Sequence, residues 1–211
     1  MRAILIAVIL GALTAACSLK EETASYETSL TSTPDLKSAE ELRSTKALID
    51  SLFIKNRKQV RVLVKRESSD SVTEVYDEKW PEDIETIFNL LADSTGRVVR
   101  ISEIPYSESG DWSIMYSHYF DNNGNTFANE RRIKAFNNFC PGDDEFDKLT
   151  EEIITKLYSP EHALIDSTYK MIDEQNFDIT SKKCRQEVES ENLVFKNIRE
   201  YTLEKGMKNN N

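Results

Sequence analysis

The residues with the most specific chemistry in this sequence are two histidines and three cysteines. Four of them, Cys140, Cys184, His118 and His162, would complete a Cys2His2 set for zinc. Structural zinc sites take their ligands in close pairs, whereas these four residues stand singly along the chain. We therefore predict no metal site. The alternation of apolar residues around His118 predicts a strand, with this histidine in a core or at an interface.

Familiar catalytic and cofactor motifs do not occur in the sequence. There is no G-x-S-x-G elbow, and the six glycines form neither a G-x-G-x-x-G pattern nor a phosphate-binding loop. A calcium loop counted from Asp121 would need glycine and glutamate where Thr126 and Arg132 stand. The chain has 37 acidic residues, so any chosen pair of carboxylates is uninformative about glycosidase chemistry. We predict no catalytic residue and no cofactor.

A basic run, "KNRKQVRVLVKR", spans residues 55–66 and contains no acid. One interpretation is a patch where Arg57, Lys58 and Arg61 bind an anionic ligand, such as a phosphate-bearing glycolipid or an acidic glycan. The alternative is a solvated strand face opposite an acidic helix over 143–152. The sequence leaves both interpretations open.

The N-terminal segment has the features of a targeting signal. Arg2 is followed by the apolar run "AILIAVILGAL" over 3–13. This run is too short to cross a membrane, which takes about 20 residues. The small residues Ala15 and Ala16 come next, and the whole pattern is typical of a secretory signal peptide over 1–16.

The residues "LTAAC" then resemble the lipid-attachment signal of bacterial lipoproteins. In that family a small residue precedes the cysteine, as Ala16 precedes Cys17 here, although Thr14 departs from the usual aliphatic residue. The resemblance implies cleavage before Cys17, lipidation of its thiol and acylation of the new N-terminus, so that a membrane is the partner of this end. One acyl chain binds a membrane only marginally, and stable anchoring takes at least two lipid signals.

Lys20, Glu21 and Glu22 follow closely behind that cysteine. They resemble the lysine-plus-acidic export signal of surface lipoproteins of the Bacteroidota. The resemblance implies an outer-membrane location, with the cell surface favoured over the periplasmic face.

Cys140 and Cys184 remain as a pair once Cys17 is assigned to lipidation. Disulfides form in exported proteins, and an even pair favours one. We predict a bridge between the two residues, joining the sheet region to the last helix. The alternative is two separate thiols in the core.

The chain divides into a signal, a tether, one domain and a tail. Residues 17–37 form the lipidated cysteine and a Ser-, Thr- and Glu-rich segment that is predicted to be a flexible tether. A single domain is predicted over 38–205 and a disordered tail over 206–211. With a net charge of −10, we expect no nucleic-acid partner, because phosphate contacts need basic side chains.

The domain is predicted to be α+β, with its strands in the middle and its helices at the ends. Ser38 with Glu41 three residues later has the spacing of a capping box and predicts the first helix. Alternating and β-branched segments over 59–136 predict an antiparallel sheet of about four to five strands. The Asn-Gly pair in "DNNGN" predicts a tight hairpin turn.

Apolar residues at helical spacing predict the remaining helices. One begins after Trp80-Pro81, and the region over 143–205 is predicted to be helical throughout. Its three helices would run over 143–158, from Ser159-Pro160 onward, and from about Thr180.

The function expected from these features is a membrane-anchored lipoprotein of the cell envelope that binds a partner and catalyses nothing. The partner would be an envelope protein or a glycan. Two alternatives stay open, an exported hydrolase with a carboxylate site and an immunity or inhibitor lipoprotein that neutralises a toxin.

Overall fold

The domain is built on one large antiparallel sheet. The computed structural model describes residues 38–136, 138–141, 148–188, 190–191 and 193–207. Its strands, in chain order, are β1 (Arg61–Arg66), β2 (Val72–Glu74), β3 (Ile84–Ala92), β4 (Val98–Pro105), β5 (Trp112–Phe120), β6 (Thr126–Ala135), β7 (Asn138–Phe139), β8 (Thr150–Tyr158), β9 (Leu164–Asp173) and β10 (Arg185–Gln186). Eight of them form the sheet in the order β2-β1-β3-β4-β5-β6-β8-β9, and β10 pairs separately with β7.

A helix, α1 (Ala39–Lys55), covers one face of the sheet. Its start is fixed locally, because the Ser38 hydroxyl accepts the backbone N–H of Glu41 at 3.2 Å while the Glu41 carboxylate accepts that of Ser38 at 3.0 Å. The predicted capping box is therefore confirmed. Leu42 and Ile49 are buried against Tyr119 and other apolar residues of this face.

The C-terminal segment covers the opposite face with a short helix, α2 (Ile198–Glu204). Tyr201 of α2 is fully buried in a cluster that includes Phe88, Ile101 and Phe120 from three strands. Met207 belongs to the same cluster, so the ordered domain continues two residues past 205. The molecule is thus a sheet between α1 and the C-terminal segment.

The predicted α+β fold with four to five strands is wrong. The sheet has eight strands, and the segment after Trp80-Pro81 contains β3, not a helix. β3 is a central strand, and Phe88 and Leu91 are both buried although they point to opposite faces. A strand covered on both faces carries apolar residues on both sides, which imitates helical spacing.

The predicted helical region over 143–205 is also wrong in its described part. Residues 142–147 lie outside the described residues, and β8 and β9 follow them. Ile153 and Leu157 are four positions apart, a spacing that places two residues on one side of a helix and equally of a strand. The segment from Thr180 contains a 3-10 turn and β10, and among its described residues only those of α2 are α-helical.

Four hairpin-like turns share one geometry. In each, the first residue's side-chain oxygen accepts the N–H of the fifth, and the first and fifth residues also bond through the backbone. The fourth residue has positive φ, which glycine and asparagine tolerate best. The turns are Asp93–Arg97, Asp121–Asn125, Ser159–Ala163 and Asp173–Phe177.

These turns settle three sequence predictions. The "DNNGN" hairpin over 121–125 is confirmed, and it joins β5 to β6. "DSTG" is a hairpin turn between β3 and β4, and β3 occupies the segment where a helix was predicted after Trp80-Pro81. A helix was predicted from Ser159-Pro160 onward, but the Ser159 hydroxyl accepts the N–H of Ala163 at 3.2 Å in the turn that joins β8 to β9.

Cys140 and Cys184 form a disulfide, with an S–S distance of 2.09 Å, as predicted. The bridge lies beside the β7–β10 pair, where Phe139 faces Arg185, and Cys184 is not in a helix. It closes a loop with a sequence separation of 44. Loop-closure entropy puts its stabilisation at about 4 kcal/mol.

Candidate functional site

The most concentrated chemistry in the described chain lies between α1 and the sheet. We name Lys46, Asp50, Arg100, Glu130 and Arg132 the α1 charge cluster. The Lys46 ammonium contacts Asp50 at 2.8 Å and Glu130 at 2.5 Å, and Arg132 contacts Glu130 at 2.7 Å. The side chains of Lys46 and Glu130 are only 11% and 4% exposed. The ion pair between Lys46 and Glu130 is therefore largely desolvated.

The other end of the cluster surrounds Asp50. Its carboxylate accepts the Tyr119 hydroxyl at 2.7 Å and contacts Arg100 at 3.3 Å. The Arg100 guanidinium stacks on the ring of Phe53, with its centre 4.0 Å from the ring centroid. Ser117 accepts a further hydrogen bond from Arg100 at 3.2 Å. Each ionic group here thus has several polar or aromatic neighbours.

The electrostatics of the cluster favour charged groups. Burial alone would raise the pKa of Glu130, but Lys46 and Arg132 outweigh it, so that its pKa is lowered. Burial would lower the pKa of Arg132, yet Glu130 and Glu151 raise it. Every described carboxylate with a shifted pKa is shifted downward, as in Glu74, Asp83 and Asp93. The carboxylates with a lowered pKa are therefore held in their charged form at neutral pH.

A cavity of about 190 Å³ adjoins the cluster between α1, β8 and β9. Arg43, Lys46, Asp50 and Asp166 supply its charges. Arg43 and Asp166 form an ion pair that connects α1 to β9 across the cavity. The space could hold a small polar molecule, although its wall charges already pair with each other.

A larger cavity, of about 400 Å³, lies on the other face beside α2. Glu103 is its most constrained carboxylate, since it accepts hydrogen bonds from Tyr201 at 3.1 Å and Lys205 at 2.7 Å. Burial, with a smaller contribution from Glu103, raises the pKa of Tyr201. Both contacts hold α2 on the sheet, which is a structural role.

The outer strand β9 exposes apolar side chains that the sequence analysis assigned to a helix. Leu164, Ile165 and Tyr169 are 57%, 40% and 44% exposed. β-branched and aromatic residues are frequent in this segment, and that composition was the available signal for a strand. An exposed sheet edge of this kind is a candidate for protein binding.

The predicted basic patch is partly neutralised. Arg57 and Lys58 are exposed in a 3-10 turn after α1, but Arg61 donates two hydrogen bonds to Glu74, at 3.0 and 2.7 Å. The hydrogen bond with Glu74 raises the pKa of Arg61. The acid that faces Arg61 is Glu74 of β2. An acidic helix was expected opposite this strand over 143–152, but the described residues 148–152 of that segment contain no helix.

Cys17, Lys20, Glu21 and Glu22 lie outside the described residues. In the described ranges, no helix is both long and apolar enough to cross a membrane. The same ranges contain no group of three or more histidine, cysteine and acidic residues placed to hold a metal ion.

Comparison with known proteins assigns this chain to no group. No protein-family model matches it, and neither does any curated protein or solved structure.

His118 lies in the core behind α2, where its side chain is 1% exposed. Its Nε2 accepts the backbone N–H of Phe195 at 3.4 Å, and its ring packs edge-on against Tyr201, with centroids 4.9 Å apart. Burial, with smaller repulsion from Lys205, lowers its pKa from 6.5 to about 3. His118 is therefore neutral in the folded protein.

This burial predicts a specific loss of stability in mild acid. Below the unfolded pKa of 6.5 the unfolded chain binds a proton at His118 that the folded chain does not bind until about pH 3. Stability therefore falls through this window, by about 2 kcal/mol between pH 7.5 and 5. Urea unfolding measures the free energy of unfolding at both pH values. The loss between them should be about 2 kcal/mol smaller in His118→Gln than in wild type, because glutamine does not titrate. Parallel losses would contradict the assignment.

The α1 charge cluster predicts unequal costs for removing two cations. Lys46→Met leaves Glu130 buried with one partner fewer and should lower the free energy of unfolding by about 3 kcal/mol. Arg61→Met is the matched control, because its pair with Glu74 is exposed and should cost less than about 1 kcal/mol. Urea unfolding of both variants at neutral pH measures the difference. Equal costs would mean that the buried pair does not hold α1.

Proposed function

We propose that this chain is a lipid-anchored protein of the bacterial outer membrane whose domain binds a partner and does not act as an enzyme. The observation that carries the proposal is the position of Cys17 behind an apolar run and Ala16. The first described element, α1, is capped at Ser38, so a polar segment over 18–37 separates the cysteine from the domain.

The physical consequence is a domain held near a membrane but free of it. Acylation at two or more positions on Cys17 supplies the affinity that one chain lacks. A polar tether of about 20 residues places the domain roughly 25 Å from the anchor as a random coil. This distance leaves its surfaces accessible to other envelope components.

Two observations support binding over catalysis. In the α1 charge cluster, the lowered pKa of Glu130 disfavours its use as a general acid. At the sheet edge, β9 exposes Leu164, Ile165 and Tyr169. An apolar edge is suited to a protein partner and provides no group for a reaction.

We propose further that the domain faces outward. Lys20, Glu21 and Glu22 stand directly behind the anchor, as in the export signal that they resemble. The proposal is an outer-membrane protein at the cell surface.

The anchoring proposal predicts incorporation of a fatty-acid analogue into the chain in its bacterial host. Cys17→Ser should abolish the label, because the thiol and the new N-terminus are the acylated groups. Cys140→Ser is the control and should keep the label. Equal labelling of wild type and Cys17→Ser would refute anchoring at this residue.

The outward orientation predicts that protease added to intact cells degrades the wild-type protein. Replacement of Lys20, Glu21 and Glu22 by alanine should protect it, since the domain would then stay on the periplasmic face. Degradation in lysed cells is the control for both chains. Protection of the wild-type chain in intact cells would overturn the surface assignment.

A further inference from the structure

Among the described residues, no other strand or loop pairs with the outer side of β9 along part of its length, so this part is an open sheet edge. It is the outermost strand, and β8 occupies its inner side. At its end, the Met171 N–H donates to Thr180 Oγ1 at 2.9 Å and the Met171 carbonyl accepts the Ile179 N–H at 2.8 Å. The backbone groups of Met171 therefore point outward and are covered by the returning chain.

Alternation along the strand locates the open backbone groups. In an antiparallel ladder every second residue directs both its N–H and its C=O to the same side. Because Met171 points outward, Tyr169 and Ser167 do so as well. A bulge opposite the Leu157–Tyr158 step displaces Ile165 from the regular ladder. The open edge thus covers residues 166–170, with Thr168 at its centre.

This edge has few of the devices that protect sheet edges. Proteins blunt them with short strands, prolines and charged side chains. The other edge strand, β2, has three residues, whereas β9 has ten and contains no proline. The open segment contains two charged residues, Asp166 and Lys170, and Asp166 is paired with Arg43.

We propose that this edge pairs with β9 of a second copy of the chain, antiparallel and centred on Thr168. In that register Ser167 of each copy faces Tyr169 of the other, and both residues direct their N–H and C=O across the junction. Two such pairs form four backbone hydrogen bonds. The eight-stranded sheets of the two copies would become continuous.

Charge complementarity selects the second copy as the occupant and selects this register. Centring on Thr168 places Asp166 of each copy opposite Lys170 of the other, which gives two opposite-charge pairs on one face. The two neighbouring registers with outward groups in line are centred on Ser167 and on Tyr169. They would place Asp166 or Lys170, respectively, opposite Thr168 and lose both pairs. The sequence of the edge is therefore self-complementary about Thr168.

The dimer suits a membrane-anchored chain, and this consequence rests on the proposed function. A two-fold axis normal to the continuous sheet keeps both α1 helices on one face. The first turns of α1 lie at the β9 edge, since Arg43 pairs with Asp166. Both tethers would therefore leave from one face near the junction. Anchoring in one membrane would also raise the effective concentration of the copies for each other.

Cysteine cross-linking tests the proposal and its register. Across the axis the two Thr168 residues form a non-hydrogen-bonded pair, whose Cα atoms lie about 4.5 Å apart in such ladders. That spacing permits a disulfide. Full-length chain with Cys17→Ser is purified, so that the engineered thiol is the only one besides the Cys140–Cys184 bridge. Thr168→Cys should give a disulfide-linked dimer on mild oxidation.

Two further variants serve as matched controls. Leu164 is also exposed but lies outside the junction, so Leu164→Cys should stay monomeric. Ser167→Cys would form the dominant dimer only in the register centred on Ser167. A monomeric Thr168→Cys chain, or dominant cross-linking at either control position, would overturn the proposal. Attachment of Thr168→Cys to a different protein in cells would assign the edge to another occupant and also overturn it.

Charge reversal supplies an independent test. Lys170→Asp places like charges together twice and should weaken the dimer at least about tenfold in analytical ultracentrifugation. Asp166→Lys should do the same, and an equimolar mixture of the two variants should restore it. Failure of the mixture to dimerise would refute the pairing. These results do not depend on lipid labelling at Cys17, so the dimer and the anchoring proposal can fail separately.

Discussion

The buried ion pair between Lys46 and Glu130 is the interaction on which the arrangement of the domain depends. A carboxylate in a sheet interior is stable only when cations accompany it, and here one of those cations comes from α1. The helix must therefore lie where Lys46 reaches Glu130 and Asp50 reaches Arg100 and Tyr119. Apolar contacts of Leu42 and Ile49 would hold the helix on the sheet, but they are less directional than these ion pairs.

The surfaces available to partners follow from where the covering elements stop. α1 covers one face and the segment that ends in α2 covers the other, with Tyr201 as its main apolar contact. The returning chain near Thr180 covers the edge of β9 only from Met171 onward. The remaining part of β9 is open because no described element reaches it. Its exposed apolar residues are the reason why this edge, more than either charged cavity, is the surface proposed for a protein partner.

The sequence predicted the elements that depend on local signals. The capping box of Ser38 and Glu41, the strand β5 and the Asn-Gly turn all require only residues close in sequence. β3, β8 and β9 were mistaken for helices because residues four apart share a side in both structures, as Ile153 and Leu157 do. The charge cluster was not predicted, because Lys46 and Glu130 are distant in sequence and many acids offer equivalent alternatives.

By itself, the sequence determined where the first helix starts, which turn joins β5 to β6 and that Cys140 and Cys184 are available to pair. These properties come from short-range hydrogen bonds and from the count of thiols. Only the tertiary structure decided that β8 and β9 are strands, that Arg61 is paired with Glu74 and that β9 is an edge. Each of these properties depends on which distant segment of the chain packs beside the strand or side chain concerned. The spacing and composition of a segment do not specify that neighbouring segment.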